Sequence, residues 1–275
     1  MTSRRRVLLT GATGVIASQL RPALQEAYDL RMIDVRDTDR DGAAVPGVEV
    51  FDLLEGESSE LADLVAGVDT VVHCGYVRPA AEPTYAEERR NVDMLQRVYE
   101  AASAAGVRRV VAASTNQASK WYEQPWLEGR LDRVTPEDYP RPDTFYGWAK
   151  AAYESLGFLY ACGSLGRPLE VVQIRIVAPR EIDAAAFQDR PLERYLRDIT
   201  GYISERDLQQ LFRCSIDAES VEDRYGVPFQ IFYGVSNNAR TFWSITNARE
   251  VVGYSPVDDS EVEFADDIAR MLARG

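Results

Sequence analysis

Short apolar runs alternate with amphipathic stretches along most of the chain. Arg6–Thr10, Leu30–Asp34, Val48–Phe51, Thr70–Cys74, Arg109–Ser114, Glu170–Val177 and Phe229–Gly234 are brief and rich in Val, Ile and Leu. That is the pattern of strands covered on both faces. Between them, Val15–Ala27, Ser58–Val65, Tyr85–Ala105 and Phe145–Cys162 carry apolar residues at helical spacing, as Val92, Leu95, Val98, Tyr99 and Ala102 do in the third. Ser58 is the expected cap of the second helix, and Ser204 of a helix running through Ala218. Asn247–Val252 and Glu261–Ala273 also read as helical. The βαβα alternation predicts an α/β fold with a doubly wound parallel sheet and right-handed crossovers.

From Asn116 to Thr144 the periodicity stops, and four prolines predict a long loop. Loops of that length in compact domains are usually functional or disordered. The last third holds small interleaved elements, too short for a separate domain. Residues 1–275 are therefore expected to form one unit, with 1–165 carrying most of the sheet.

Charge then narrows the partners. The chain has 275 residues, 31 basic against 44 acidic, and a net charge of −13. That balance argues against nucleic acid and anionic membrane surfaces. No apolar run is long enough to span a bilayer, and Val7–Leu9 is too short for a signal-peptide core, so a cytoplasmic location is expected. Three dispersed cysteines without a Cys-x-x-Cys fit reduced thiols. The single histidine, His73, excludes a His-based metal site and a Ser-His-Asp triad. Only Lys120 and Lys150 are lysines, so a motif that requires lysine is informative here.

Two constellations carry chemistry. Gly11-Ala12-Thr13-Gly14-Val15-Ile16-Ala17 leaves the first strand and opens the first helix. Gly11 permits a tight turn, Gly14 lets the backbone approach a pyrophosphate, and the helix start supplies N–H groups and a favourable dipole. Asp34 ends the next strand at the distance expected of an acid that binds the adenosine ribose. Its charge favours NAD over NADP, although nearby Arg36 works the other way. Asp52 could accept from the adenine amino group.

The second constellation is Tyr146-x-x-x-Lys150, two side chains on one helical face. A free phenol is a poor base near neutrality, and an adjacent ammonium favours its ionised form. Ser114-Thr115 closes the preceding strand, where a hydroxyl could hold a reacting alcohol.

With these motifs the chain resembles the extended short-chain dehydrogenases/reductases, the NAD-dependent epimerase/dehydratase family. The likeness also includes Asp52-Leu53, Val71-Val72-His73, Asn91-Val92 and Arg175–Pro179. It implies a Rossmann fold and a catalytic triad of Thr115, Tyr146 and Lys150. It implies NAD held by Gly11, Thr13, Gly14, Val15, Ile16, Asp34, Asp52, Leu53, Cys74, Gly75, Asn91, Tyr146 and Lys150. Within the family the chain is most similar to uronate dehydrogenases and an archaeal glucose-6-phosphate dehydrogenase. The resemblance rests on Ser114-Thr115-Asn116-Gln117, the Arg197…Ser204-x-x-Asp207 block and the Tyr233–Asn238 tail.

The resemblance implies that substrate meets Arg78, Thr115, Asn116, Gln117, Tyr146 and Arg197, with Arg197 clamping an anionic sugar. Three departures alter the pocket: Gln117 replaces a histidine, and Arg78 and Ala178 replace serines. Dimerisation through Tyr85–Ala105 and the helix bearing Tyr146 is also implied. The expected reaction is NAD-dependent oxidation of a sugar hydroxyl, at the anomeric carbon, to a lactone. A nucleotide-sugar epimerase or dehydratase is the alternative. Asn116-Gln117 in place of an Asp-Glu pair opposes a dehydratase, and the short C-terminal part opposes an epimerase. A non-enzymatic cofactor sensor is a third, which the intact Tyr-x-x-x-Lys opposes.

Overall fold

The computed structural model describes residues 4–273; residues 1–3 and 274–275 of the predicted unit lie outside the described residues. The strands are β1 Arg6–Thr10, β2 Asp29–Asp34, β3 Val48–Val50, β4 Thr70–His73, β5 Arg109–Thr115, β6 Glu170–Ile176 and β7 Phe229–Gly234. All seven coincide with apolar runs in the sequence, with ends displaced by at most one residue. They form one parallel sheet in the order β3-β2-β1-β4-β5-β6-β7. The order reverses between β1 and β4, so a crevice opens at their carboxyl ends, where doubly wound sheets bind ligands.

The helices are α1 Val15–Ala27, α2 Ser58–Val65, α3 Tyr85–Ala104, α4 Glu123–Leu127, α5 Phe145–Ala161, α6 Leu192–Gly201, α7 Glu205–Asp217, α8 Thr246–Val252, α9 Ser260–Glu263 and α10 Ala265–Leu272. Leu20 and Leu24 of α1 and Leu208, Leu211 and Phe212 of α7 cover one face of the sheet. Leu61, Leu95, Val98, Tyr153 and Tyr160 of α2, α3 and α5 cover the other. Burial on both faces explains why the strands read as continuous apolar runs.

Four local expectations are corrected. Glu57, not Ser58, occupies the cap position of α2, with no side-chain cap bond. The predicted loop from Asn116 begins with a 3-10 turn over Asn116–Tyr122 and continues as α4. Helix α6 was not foreseen. The predicted helix Glu261–Ala273 divides into α9 and α10. Ser204 does cap α7, its hydroxyl accepting from the Asp207 amide at 3.1 Å. Asp207 is fully buried and accepts from the Ser236 hydroxyl at 2.6 Å and the Val257 amide at 3.0 Å. The Ser204-x-x-Asp207 motif therefore ties α7 to the segments after β7.

One buried ion pair joins α5 to the sheet. Arg175 on β6 donates from Nε and Nη2 to the two Glu154 oxygens at 2.7 Å each, and from Nη1 to the Tyr233 hydroxyl at 2.7 Å. Arg175 is 0% and Glu154 4% exposed. Removing one partner of such a pair strands the other charge. Glu154→Gln is expected to cost about 3 kcal/mol of stability, read as a lowered midpoint in urea unfolding with an unchanged slope.

Candidate active site

The turn between β1 and α1 lies at the switch point. Gly11 has φ +67°, and a Cβ there would lie 2.5 Å from the Gly75 amide nitrogen and 2.6 Å from the Cys74 carbonyl carbon. Both properties require glycine, because L side chains are strained at that φ and the loop after β4 leaves no room. Gly14 caps α1 without a side-chain hydrogen bond, and the first turn holds no acid. The opening N–H groups of a 13-residue helix are thus left for an external anion. Residues and geometry fit the pyrophosphate of a dinucleotide.

Asp34 holds this turn from the side. Its Oδ2 accepts from the Thr13 amide at 2.9 Å and the Thr13 hydroxyl at 2.8 Å, while Oδ1 accepts from the Val35 amide at 2.7 Å. From the end of β2 the carboxylate therefore braces the turn between β1 and α1. Asp34→Ala is expected to raise the NAD dissociation constant roughly 10–100-fold, the loss of charge-assisted hydrogen bonds. It is also expected to narrow the preference for NAD over NADP, with calorimetric titration of each cofactor as the check.

The other predicted cofactor residues follow the carboxyl ends of β3 and β4 or lie on α1, α3 and α5. Asp52 follows β3, and its Oδ1 accepts from the Leu54 amide at 2.8 Å, next to buried Leu53. Cys74 and Gly75 follow β4 against the Gly11 turn. Val15 and Ile16 open α1, Val15 exposed and Ile16 half-buried. The Thr10 hydroxyl and His73 Nδ1 are 2.8 Å apart, tying the ends of β1 and β4 together. Burial, with Lys150 adding to it, pushes the His73 imidazole down to about 3, so it is neutral here. Asn91 reaches back from α3: its Oδ1 accepts from the Val77 amide at 2.7 Å and its Nδ2 donates to the Val77 carbonyl at 3.1 Å. It thereby pins the loop that carries Arg78, which is exposed.

Thr115, Tyr146 and Lys150 meet above β5. Thr144 caps α5, accepting from the Gly147 amide at 3.1 Å, and so fixes the turn that presents Tyr146. A Cβ on Gly147 would lie 2.4 Å from the Gln117 carbonyl oxygen, so glycine there lets α5 approach the Asn116–Tyr122 turn. Burial raises the Tyr146 phenol, and its hydrogen bond with Thr115 works against that rise. Lys150 is buried and donates to the Ala113 carbonyl at 2.9 Å. Its Nζ lies 4.2 Å from the Tyr153 ring centre and 5.5 Å from that of Tyr76. Burial pushes the ammonium down to about 8, with Cys74 and Glu88 opposing the shift.

Tyr76 and Glu88 were missed in the sequence. The Tyr76 ring stands edge-on to Tyr146, with centroids 5.3 Å apart. Its hydroxyl donates to Glu88 Oε1 at 2.6 Å. Glu88 is 0% exposed and sits one turn before Asn91 on α3. A carboxylate at a core position of an amphipathic helix was the available signal.

Arg197 is placed differently from a free clamp. It pairs with Glu123 through Nη2 and with Asp198 through Nη1, the latter at 2.7 Å. Asp198 also pairs with Arg180 at 2.6 Å. Asn116, which follows Thr115, donates from Nδ2 to Glu123 Oε1 at 3.1 Å. Asn116 is buried and Gln117 half-buried beside them. No cluster of His, Cys, Asp and Glu among the described residues could hold a metal ion.

A glycine turn feeding an uncapped helix, an acid at the end of β2 and a Tyr-Lys pair over β5 define a dinucleotide-dependent Rossmann protein. The chain belongs to the NAD dependent epimerase/dehydratase family, whose model matches residues 7–172. It is 33% identical over 266 residues to an NAD-dependent glucose-6-phosphate dehydrogenase of Haloferax volcanii, covering 92% of this chain and 94% of that one. It is 32% identical over 262 residues to a uronate dehydrogenase of Pseudomonas putida, covering 94% and 87%. The crystal structure of uronate dehydrogenase from Agrobacterium tumefaciens superposes with a TM-score of 0.75 at 26% identity, over 97% of this chain and 89% of that one.

Proposed function

We propose that this protein oxidises the anomeric hydroxyl of a sugar, giving a lactone, NADH and a proton. The observation that carries this reading is the convergence of Thr115, Tyr146 and buried Lys150 beside the Gly11–Gly14 turn. The similarity to named sugar dehydrogenases supports it. NAD, when bound, supplies the two-electron hydride acceptor. Thr115 holds the reacting hydroxyl, Tyr146 as phenolate removes its proton, and Lys150 stabilises that phenolate. Asp34 and Asn91 act earlier, by shaping the loops against which the cofactor lies. All of this belongs to one unit spanning the chain, in which 1–165 chiefly binds NAD and 166–275 chiefly shapes the sugar site.

The test is to mix purified protein with NAD and a panel of aldoses, uronic acids and sugar phosphates, and to follow NADH absorbance. Turnover of a free sugar is the expected result. No turnover, with NAD copurifying, would instead favour an epimerase. Among the described residues no helix is long and apolar enough to cross a membrane. The reading also includes a cytoplasmic homodimer joined through α3 and α5, where Tyr85, Phe145, Phe158 and Leu159 are exposed.

A further inference from the structure

The surroundings of Arg197 bear on which sugar enters. A guanidinium that is to hold a ligand carboxylate in a fork needs two neighbouring N–H groups on one edge. Here Nη1 is committed to Asp198 and Nη2 to Glu123, so both terminal nitrogens already hold a carboxylate, and only Nε, which is buried, is without a hydrogen-bond partner. The three side chains are 11% to 17% exposed, so these charges face each other with little water between them. A second anion entering this space would displace one of the carboxylates and leave it without its cation. Arg180 supplies a further positive charge, but it is 58% exposed and already paired with Asp198.

Glu123 is also wired to the reacting end of the site. Its Oε1 accepts from both Asn116 and Arg197, and Asn116 Oδ1 lies 3.4 Å from the Thr115 hydroxyl. No hydrogen bond reaches Oε2 from the described residues, and the Glu123 side chain is 15% exposed. Trp243, with the Arg197 guanidinium carbon 5.5 Å from its ring centre, adds an apolar wall.

We infer that Glu123 is the specificity-determining residue of the site. By occupying Arg197 and offering Oε2, it makes the subsite one for the hydroxyls of an uncharged aldose, rather than for a sugar carboxylate or phosphate. This rests on the sugar-dehydrogenase reading above and adds the charge class of the substrate. Carboxylate acceptors suit hydroxyl donors, and anionic substrates are rejected by the like charge of Glu123 and Asp198.

The experiment compares kcat/KM for sugars matched in stereochemistry and differing in charge: glucose, glucuronic acid and glucose 6-phosphate, and galactose with galacturonic acid. For the wild-type protein the uncharged member of each set is expected to be preferred at least about tenfold. Glu123→Gln keeps the shape and removes the charge. Its ratio of uronic acid to aldose is expected to rise about tenfold or more, with the aldose itself used less well. A wild-type preference for the acid or the phosphate over its matched aldose overturns the inference while leaving the dehydrogenase reading intact. Turnover of none of the sugars overturns both. The wild-type comparison decides the matter even if the variant fails to fold.

Discussion

Tyr146→Phe is expected to lower kcat/KM for sugar oxidation at least about 10³-fold, within the range a positioned general base contributes. In the proposed mechanism the phenol takes the substrate proton: Thr115 hydrogen-bonds to it and Lys150 lies one turn further on along α5. Phenylalanine keeps the ring that packs edge-on against Tyr76 at 5.3 Å. The variant should therefore fold normally and bind NAD with a dissociation constant within about twofold of wild type, since no charged contact is lost. Steady-state kinetics and cofactor titration on the same preparation separate the two effects. Full activity in the phenylalanine variant would remove Tyr146 from the mechanism. Equal loss of activity and NAD binding would make it a cofactor contact instead.

The sheet was legible because each strand is covered on both faces, so burial writes itself as an unbroken apolar run. Helix α6 was not, although Leu192, Tyr195, Leu196 and Ile199 lie at helical spacing. It begins after Pro191, which caps nothing by a side chain, and its ten residues intersperse Glu193, Arg194, Arg197 and Asp198 among the apolar ones. With neither a start signal nor an unbroken stripe, the segment reads as loop. The 3-10 turn at Asn116 is held by α5 through Gly147 and by the Ser119–Tyr233 hydrogen bond at 2.8 Å, contacts that only the fold creates.

The site divides along the same line. Tyr146 and Lys150 share one helix, and Gly11 to Gly14 one turn, so spacing alone announces them. Arg197 and Glu123 lie 74 positions apart on separate helices, and nothing local marks them as partners. Likeness of sequence supplied Arg197 as a cation in the pocket. It could not show that the cation is already paired with Glu123 and Asp198. Glu88 lies between these cases. It was readable as a polar residue at a core position, yet its reach to Tyr76 depends on how the loop after β4 folds back under Asn91.

Lys150→Met tests the electrostatic half of the mechanism. Methionine approximates the length of the lysine stem and fills a buried site without the ammonium. In the proposed mechanism that ammonium favours the Tyr146 phenolate, against the burial and the Glu88 charge that raise the phenol. The proposed oxidation needs the phenolate, so its rate is expected to rise with pH along the phenol's ionisation. Removing a positive neighbour raises a phenol pKa. The ascending limb of kcat/KM is therefore expected to move to higher pH, with a loss of roughly 10 to 10³-fold at pH 7 that shrinks as the pH is raised. The lysine's own titration sets where the difference fades. Burial brings its ammonium down to about 8, so its advantage is full below that pH and is lost above it. A loss of the same size at every pH would mean that Lys150 acts by holding the Ala113 carbonyl and the helix in place, not by its charge. No loss at any pH would remove it from the mechanism altogether.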